Sequence, residues 1–388
     1  MTYDFDKIID RHNTYSIKYD PKSRGKPEGV IPLWVADMDF TAPPCVLDAL
    51  NKQTEHGVFG YFNTGIDYFN TLKSWFSRRH GWEIEQDWLV TTSGIVSTIH
   101  LAILALTKPG DSVIVQQPVY YPFMSAVSST GRELVVNQLI EEDGYYEIDF
   151  EDFERKIVDN NVKAFVLCNP HNPVGRVFTK DELTQMGDIC VRHGVVVISD
   201  EIHQDFIYGG YEHLVFAGLD PRFSDITVTC TAPTKTFNLA ALPVANIFIS
   251  NKNLRKQFQN EYSKFGAPHT GIMEIVACVA AYELGEEWLG ELHNYILGNM
   301  NFIDDFLKNK MPKIKLNKPE GTYLAWLDFR ALGLSDDELD DVITHKAKLW
   351  LNRGTSFGAG GEGFMRLNTA CPRSVLQKAL NQLESALL

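Results

Sequence analysis

The clearest pattern in the chain is an alternation of short apolar runs with longer amphipathic stretches between residues 88 and 250. Between the first two runs, residues 93–106 repeat apolar positions at helical spacing. Apolar strands that alternate with helices are typical of a parallel sheet with helices on both faces, so the sequence predicts an α/β fold. The runs are WLVTT (88–92), SVIVQ (112–116), VKAFVLC (162–168), VVVIS (195–199), ITVTC (226–230) and VANIFIS (244–250).

The pattern changes near residue 255, where helices and isolated strands replace the alternation. We therefore predict a large α/β domain over 41–285 and a smaller α+β domain built from both chain ends, 1–40 and 286–388. Helices are predicted over 256–266, within 272–307, over 336–350 as one charged amphipathic helix and over 374–388, and strands over 321–329 and 364–370.

Charge and composition narrow the class of protein. The chain of 388 residues has 36 basic and 50 acidic side chains, a net charge of −14. This balance argues against nucleic acid and anionic membrane surfaces as partners. No apolar run is long enough to span a bilayer, and no two of the 6 cysteines have C-x-x-C spacing. We expect a cytoplasmic enzyme with a small-molecule substrate.

Lys235 lies between Thr234 and Thr236, just after an apolar run that is predicted to be a buried strand. Burial would lower the pKa of its amine, and such amines form Schiff bases with carbonyl compounds. An ordinary loop lysine is the alternative.

Two Asn-Pro pairs and a glycine form a sharply turning loop in CNPHNPVGR (168–176), directly after another predicted strand. Ligands bind at this end of a strand in open α/β sheets, and asparagine offers both donors and acceptors there. The alternative is a turn without a ligand.

Asp200 ends the apolar run 195–199, and a buried carboxylate requires a cationic partner. Asp200, Glu201 and His203 are also metal-ligand types, but their spacing matches no zinc pattern, and we expect no metal.

Ser93 and Gly94 open a helix directly after a strand, where free backbone N–H groups attract phosphate. An ordinary capped helix would look the same. Taken together, a lysine amine, a carboxylate, an asparagine loop and a phosphate-binding helix start are what is needed to hold pyridoxal phosphate.

The chain resembles the fold-type I pyridoxal-phosphate enzymes of the aspartate aminotransferase superfamily. Within them it is most similar to the cystathionine β-lyase group of carbon–sulfur lyases (MalY/PatB-like). The resemblance implies a large domain with a mainly parallel sheet of the seven-stranded type. It rests on eight motifs in chain order: PLWVADMDF (32–40), the GY of FGYF (60–61), SGIV (93–96), QQPVYYPF (116–123), CNPHNPVGR (168–176), SDEIH (199–203), TKTFNLA (234–240) and RLNTACPR (366–373).

The resemblance implies a role for each residue around the cofactor ring. Lys235 would form the Schiff base, and Asp200 would pair with the pyridinium nitrogen. Asn172 would bond the phenolic oxygen, and Tyr120 would stack on the ring. His203 counts as cofactor-binding, although many members have tyrosine there.

For the cofactor phosphate, the resemblance implies Ser93, Gly94, Ile95 and the Thr234 hydroxyl. Tyr61 would reach the phosphate of the neighbouring subunit, which implies a homodimer with shared active sites. Two residues common in aminotransferases are replaced. Ala232 stands in place of a serine three residues before the lysine, and Pro243 in place of an arginine that binds the cofactor phosphate.

For the substrate, the resemblance implies that Arg366 takes the α-carboxylate with help from Asn172. Trp34 and Asp37, in the motif 32–40, would border the pocket, although a packed N-terminal arm is the alternative.

The implied reaction is α,β-elimination of L-cystathionine or related cysteine S-conjugates to a thiol (homocysteine), pyruvate and ammonia. Transamination is the alternative, since it uses the same residues. A cofactor-binding regulatory protein with vestigial activity is the second alternative. The sequence leaves open which thioether is preferred.

Overall fold

The computed structural model describes residues 3–266, 270–317 and 319–387. In these ranges the chain forms thirteen α-helices, together with short 3₁₀ turns and one π-helical turn at Val342–Lys346. The α-helices are α1 (Pro44–His56), α2 (Gly65–His80), α3 (Ile95–Leu106), α4 (Pro122–Ser129), α5 (Phe150–Asp159), α6 (Lys180–His193), α7 (Pro221–Asp225), α8 (Pro233–Thr236), α9 (Lys252–Ser263), α10 (Ile272–Leu284), α11 (Glu286–Lys310), α12 (Asp336–Asp341) and α13 (Arg373–Leu387).

Fifteen strands lie in the same described ranges. They are β1 (Ile31–Pro32), β2 (Leu89–Thr92), β3 (Ser112–Gln117), β4 (Glu133–Gln138), β5 (Ile140–Glu142), β6 (Tyr145–Glu147), β7 (Ala164–Cys168), β8 (Val196–Asp200), β9 (Thr227–Thr231), β10 (Ala245–Phe248), β11 (Lys315–Leu316), β12 (Leu324–Asp328), β13 (Leu349–Trp350), β14 (Asn352–Arg353) and β15 (Phe364–Asn368).

The central sheet has seven strands in the order β2-β10-β9-β8-β7-β3-β4. β10 is antiparallel to both neighbours, and the remaining pairs are parallel. Successive side chains of a strand point to opposite faces. Val113 and Val115 accordingly pack with α3 and α9, whereas Ile114 packs with α5 and α6. The predicted α/β fold with a mainly parallel, helix-covered sheet is confirmed.

The second sheet is antiparallel, in the order β11-β12-β15-β14. Its apolar face packs on α11 and α13, and Leu33 of the N-terminal arm lies in the same core. β1 of that arm pairs with β13. Both chain ends thus contribute to this unit, but Phe5 and Met38 pack instead with Trp75 of α2. The domain limits at residues 40 and 285 stay a prediction.

Two features of the sequence prediction are wrong. The single helix over 336–350 ends early, because α12 gives way to the π-helical turn and then to β13. The strand β4 was not predicted, since it lies at the sheet edge and mixes polar with apolar residues. Only Val135 and Asn137 of β4 are buried, so the strand carries a weak apolar signal.

No helix in the described ranges is both long and apolar enough to cross a bilayer.

Candidate active site

A cavity of about 370 Å³ lies at the carboxyl ends of the central strands. β2, β7, β8 and β9 all end on this side of the sheet, and β15 of the second sheet closes it with Arg366. Strand ends at one edge bring together residues that are far apart in the chain. The lining contains all but two of the predicted site residues: Trp34, Ser93, Gly94, Ile95, Tyr120, Asn172, Asp200, His203, Thr234, Lys235 and Arg366.

The two exceptions are Tyr61 and Asp37. The Tyr61 side chain is fully exposed in the single chain. Asp37 instead forms ion pairs with Arg11 at 2.7 Å and with Lys18 at 3.4 Å. These cations hold the pKa of the Asp37 carboxyl below its usual range despite burial. The structure therefore brings neither side chain to the cavity of this chain.

Lys235 lies in the one-turn helix α8, which begins with Pro233 directly after β9. Its Nζ donates to the carbonyl oxygen of Ala36 at 2.6 Å. Burial lowers the pKa of the amine to about 8, and the nearby Arg366 cation contributes in the same direction. The neutral fraction of the amine near neutral pH is thus larger than that of an exposed lysine, as a nucleophile or base requires.

Asp200 is the last residue of β8. One carboxylate oxygen accepts the Ile202 backbone N–H at 3.1 Å, and the side chain faces the cavity. Burial raises the pKa of the carboxyl to about 7, although the Lys235 cation opposes the shift. Cys168 pairs with Asp200 across β7 and β8 and is held neutral by burial, which raises its pKa. A cationic ring nitrogen beside Asp200 would offset the desolvation of this carboxylate.

Arg366 is buried and donates three hydrogen bonds. They reach Asn172 Oδ1 at 3.0 Å, the Trp34 carbonyl at 2.8 Å and Asn352 Oδ1 at 2.7 Å. Its Nε has no hydrogen-bond partner among the described residues, and burial lowers the pKa of the guanidinium to about 10. A buried guanidinium with an unused donor is suited to binding a carboxylate.

The loop that carries Asn172 is anchored at its end by Arg176. Arg176 donates to Glu320 at 2.9 Å and to both oxygens of Glu182 at 2.8 Å. The backbone N–H of Asn172 lies 3.5 Å from Cys168 Sγ. These contacts fix the loop, so Asn172 is held beside Arg366 before any ligand binds.

Two rings complete the cavity wall. Tyr120 follows β3, and burial raises the pKa of its hydroxyl to about 12. His203 packs edge-on to Tyr323, with ring centroids 5.6 Å apart. Burial and the Lys235 and Arg366 cations keep the pKa of His203 well below its usual value, so the ring is neutral. Its Nδ1 is buried and lacks a partner in the part of the chain described here.

The start of α3 lines one end of the cavity. Gly94 precedes the helix at φ 119°, a conformation that suits glycine. No side chain caps the N-terminus of α3. Ser93, Thr234 and the first residues of α3, whose N–H groups lie at the start of the helix, line the same space. This donor set, the nearby amine and the Asp200 carboxyl fit pyridoxal phosphate.

Sequence reasoning missed two contributors. Asn352 bonds Arg366, but it lies in the two-residue strand β14 and carries no motif. The Ala36 carbonyl bonds Lys235, and a backbone acceptor leaves no signal in sequence. The described ranges contain no group of three or more His, Cys, Asp or Glu side chains placed to hold a metal ion.

Residues 28–383 match the family described as aminotransferase class I and II. The chain belongs to this family. Its relatives include the cystathionine beta-lyase PatB of Bacillus subtilis, which is 44% identical over 386 residues and 99% of each chain. The resemblance inferred from the eight motifs is confirmed at the level of the family and its fold.

Two solved structures are also similar over the whole chain. A protein of Clostridium difficile 630 with bound pyridoxal phosphate has a TM-score of 0.97 and 43% identity, with 100% of each chain covered. Cystalysin from Treponema denticola, which contains pyridoxal 5′-phosphate, has a TM-score of 0.96 and 40% identity, with 100% of this chain and 99% of that chain covered.

Proposed function

We propose that this chain is a pyridoxal-phosphate-dependent carbon–sulfur β-lyase acting on L-cystathionine or related cysteine S-conjugates. The observation that carries the proposal is one cavity that holds the partly buried amine of Lys235, the buried carboxyl of Asp200 and the buried guanidinium of Arg366. The relatives support it, since PatB is named a cystathionine beta-lyase and cystalysin contains the cofactor.

Residues of this chain would hold the cofactor from several sides. Ser93, Gly94, Ile95 and Thr234 would bind its phosphate. Its ring would lie among Tyr120, Asn172, His203 and Asp200, with the Asp200 carboxylate at the ring nitrogen. When bound, pyridoxal phosphate supplies an aldehyde for the substrate amine and a ring that accepts the electron pair from Cα.

Arg366 binds the substrate α-carboxylate, because it lines the cavity together with its hydrogen-bonded neighbour Asn172. This contact orients the Cα–H bond of the substrate. Lys235, as a neutral amine, takes the Cα proton. Breaking the Cβ–S bond then releases the thiol sulfur with its electron pair, and water converts the three-carbon remainder to pyruvate and ammonia.

Transamination is a second candidate, favoured by the family to which the chain belongs. It would use the same lysine, aspartate and arginine, but the amino group of the substrate would pass to a 2-keto acid and no thiol would leave. The two reactions differ in their requirement for a 2-keto acid acceptor.

The test is incubation of the holoenzyme with L-cystathionine, L-cysteine and an S-alkyl cysteine without any keto acid. We expect equal release of pyruvate and thiol. Amino transfer that requires a keto acid, with no pyruvate from any thioether, would contradict the lyase proposal.

Lys235→Ala tests the assigned lysine. We expect loss of the visible absorbance of the bound cofactor and a drop in turnover of at least about 1000-fold, since both the covalent link and the base are removed. Lys308→Ala, at an exposed position of α11, is the matched control and should behave as wild type. Full lyase activity in Lys235→Ala would refute the assignment.

We further propose a cytoplasmic homodimer with shared active sites. Support for the dimer comes from an exposed apolar segment before α2, in which Phe59 and Tyr61 are 60% and 109% exposed. Support for the compartment comes from the 6 cysteines, all of which are free.

A further inference from the structure

Tyr323 lies outside the cavity lining but shares a hydrogen-bond acceptor with Lys235. Its hydroxyl donates to the Ala36 carbonyl at 3.0 Å, and the Lys235 amine donates to the same oxygen at 2.6 Å. The Tyr323 side chain is fully buried, between Phe206 and His203. Its hydroxyl therefore has a fixed position and no access to bulk water.

We propose that Tyr323 is a positioning residue for the Lys235 amine. Its hydrogen bond to the Ala36 carbonyl oxygen makes that oxygen a weaker acceptor for the protonated amine, so more of the amine stays neutral and able to react. The proposal rests on the proposed function, in which the neutral amine reacts. A carbonyl oxygen shared by two donors is a weaker acceptor for each. The positive end of the O–H dipole also points toward the oxygen that the ammonium approaches.

The position of Tyr323 is set by the segment before it. Glu320 and Gly321 each donate a backbone hydrogen bond to Gly175, at 3.0 and 2.8 Å. A Cβ on Gly321 would lie 2.8 Å from Val177 Cγ2, so only glycine permits this approach. The segment is thereby joined to the asparagine loop, and the aromatic ring that follows has little freedom to move.

The other charged neighbours of the amine come from several elements, so the effect of Tyr323 must be separated from theirs. Asp37 and Asp200 favour the ammonium, whereas Arg366 and burial disfavour it. Asp37 is already paired with cations of the N-terminal arm. The titratable or charged groups around the amine are Asp37 of the arm, Tyr120 after β3, Asp200 and His203 at the end of β8, Tyr323 before β12 and Arg366 of β15.

The test is the rate at which added pyridoxal phosphate becomes covalently attached to the cofactor-free protein, followed by visible absorbance across a range of pH. The rate depends on the neutral fraction of Lys235 and needs no lyase turnover. Tyr323→Phe removes only the hydroxyl. We expect the pH midpoint to rise by about 0.5–1 unit, so attachment slows about three- to tenfold near pH 6.5 and is unchanged near pH 9.5.

Tyr208→Phe is the matched control. Tyr208 is a buried tyrosine whose hydroxyl has no hydrogen-bond partner within the described ranges, and it stacks on His293 instead. Its removal should leave the midpoint unchanged. A Tyr323→Phe midpoint equal to that of wild type, or an equal shift in Tyr208→Phe, would overturn the proposal.

A second substitution should shift the pH midpoint of cofactor attachment in the opposite direction. Replacing the Tyr323 side chain with 3,5-difluorotyrosine makes the phenol a stronger donor, so the midpoint should fall; an increase would overturn the proposal. Burial, which raises the pKa of Tyr323, favours the protonated phenol. A wild-type protein that attaches the cofactor but releases no pyruvate would refute the lyase function, while the attachment rates still decide the role of Tyr323.

Discussion

Burial moves three side chains of the cavity toward their neutral forms. It lowers the pKa of Lys235 to about 8 and of Arg366 to about 10, and it raises that of Asp200 to about 7. Each group has lost hydration without gaining a full counter-charge. A ligand with a cationic ring nitrogen and an anionic carboxylate would supply counter-charges to Asp200 and Arg366, and we expect its binding to stabilise the charged forms of these two groups.

Asp200→Asn should have opposite effects on the stability of the protein and on its activity. Because the pKa of the folded carboxyl is raised from 3.8 to about 7, the folded state binds the proton more tightly than the unfolded chain. Stability is therefore lost as pH rises from about 4 to 7. Asparagine avoids this loss, so the melting temperature of the cofactor-free protein should increase by a few degrees at about pH 8 and by less at about pH 5.

Lyase activity of the same variant should fall by about 100-fold or more, because the ring nitrogen loses its charged partner. Calorimetry and pyruvate release measure the two effects. A variant that is less stable than wild type at about pH 8 would contradict the assigned burial cost.

At the scale of elements, the start of α3 depends on the backbone conformation of one residue. Gly94 adopts a φ of 119°, and a Cβ there would meet only Pro243, at 3.8 Å. Space is therefore available, but the backbone conformation disfavours any other residue. The sequence motif was informative because this backbone turn places the start of α3 at the cavity.

Gly94→Ala should weaken pyridoxal-phosphate affinity by about tenfold or more, through strain of about 1–3 kcal/mol at the phosphate end. Gly290→Ala, in the second turn of α11 with open space around it, is the control. It should keep the affinity and stabilise the fold by about 0.5–1 kcal/mol, because alanine favours helix. Equilibrium dialysis and thermal unfolding test both variants; equal affinities would contradict the phosphate assignment.

At the scale of the whole molecule, the exposed segment around Tyr61 is the feature that a single chain leaves unexplained. Its aromatic side chains face solvent, whereas the cavity is otherwise assembled from this chain. A second copy that covers the segment would bury this apolar surface and bring Tyr61 to the neighbouring site.

Mixing two inactive variants tests that arrangement. Lys235→Ala and Tyr61→Ala should each be nearly inactive alone. If the sites are shared, a heterodimer has one site with both residues intact, so a one-to-one mixture allowed to exchange subunits should recover up to about a quarter of wild-type activity. No recovery, with exchange verified by mass spectrometry, would contradict a shared site.

The sequence predicted most of the cavity because its motifs follow strand ends, and parallel strands bring those ends to one edge. Lys235, Asp200 and Asn172 were located in this way. Asp37 shows the limit of this reasoning. Trp34 of the same motif lines the cavity, but Asp37 binds Arg11 and Lys18, and no local pattern reveals that these distant cations reach it.

By itself, the sequence determined the α/β fold, the family and the order of residues around the cavity, because apolar periodicity and short motifs are local properties. Only the tertiary structure decided the shifted pKa values, the unused donor of Arg366 and the shared carbonyl of Ala36. These depend on desolvation and on distances between segments far apart in the chain, and burial is a property of the packed molecule rather than of any one segment.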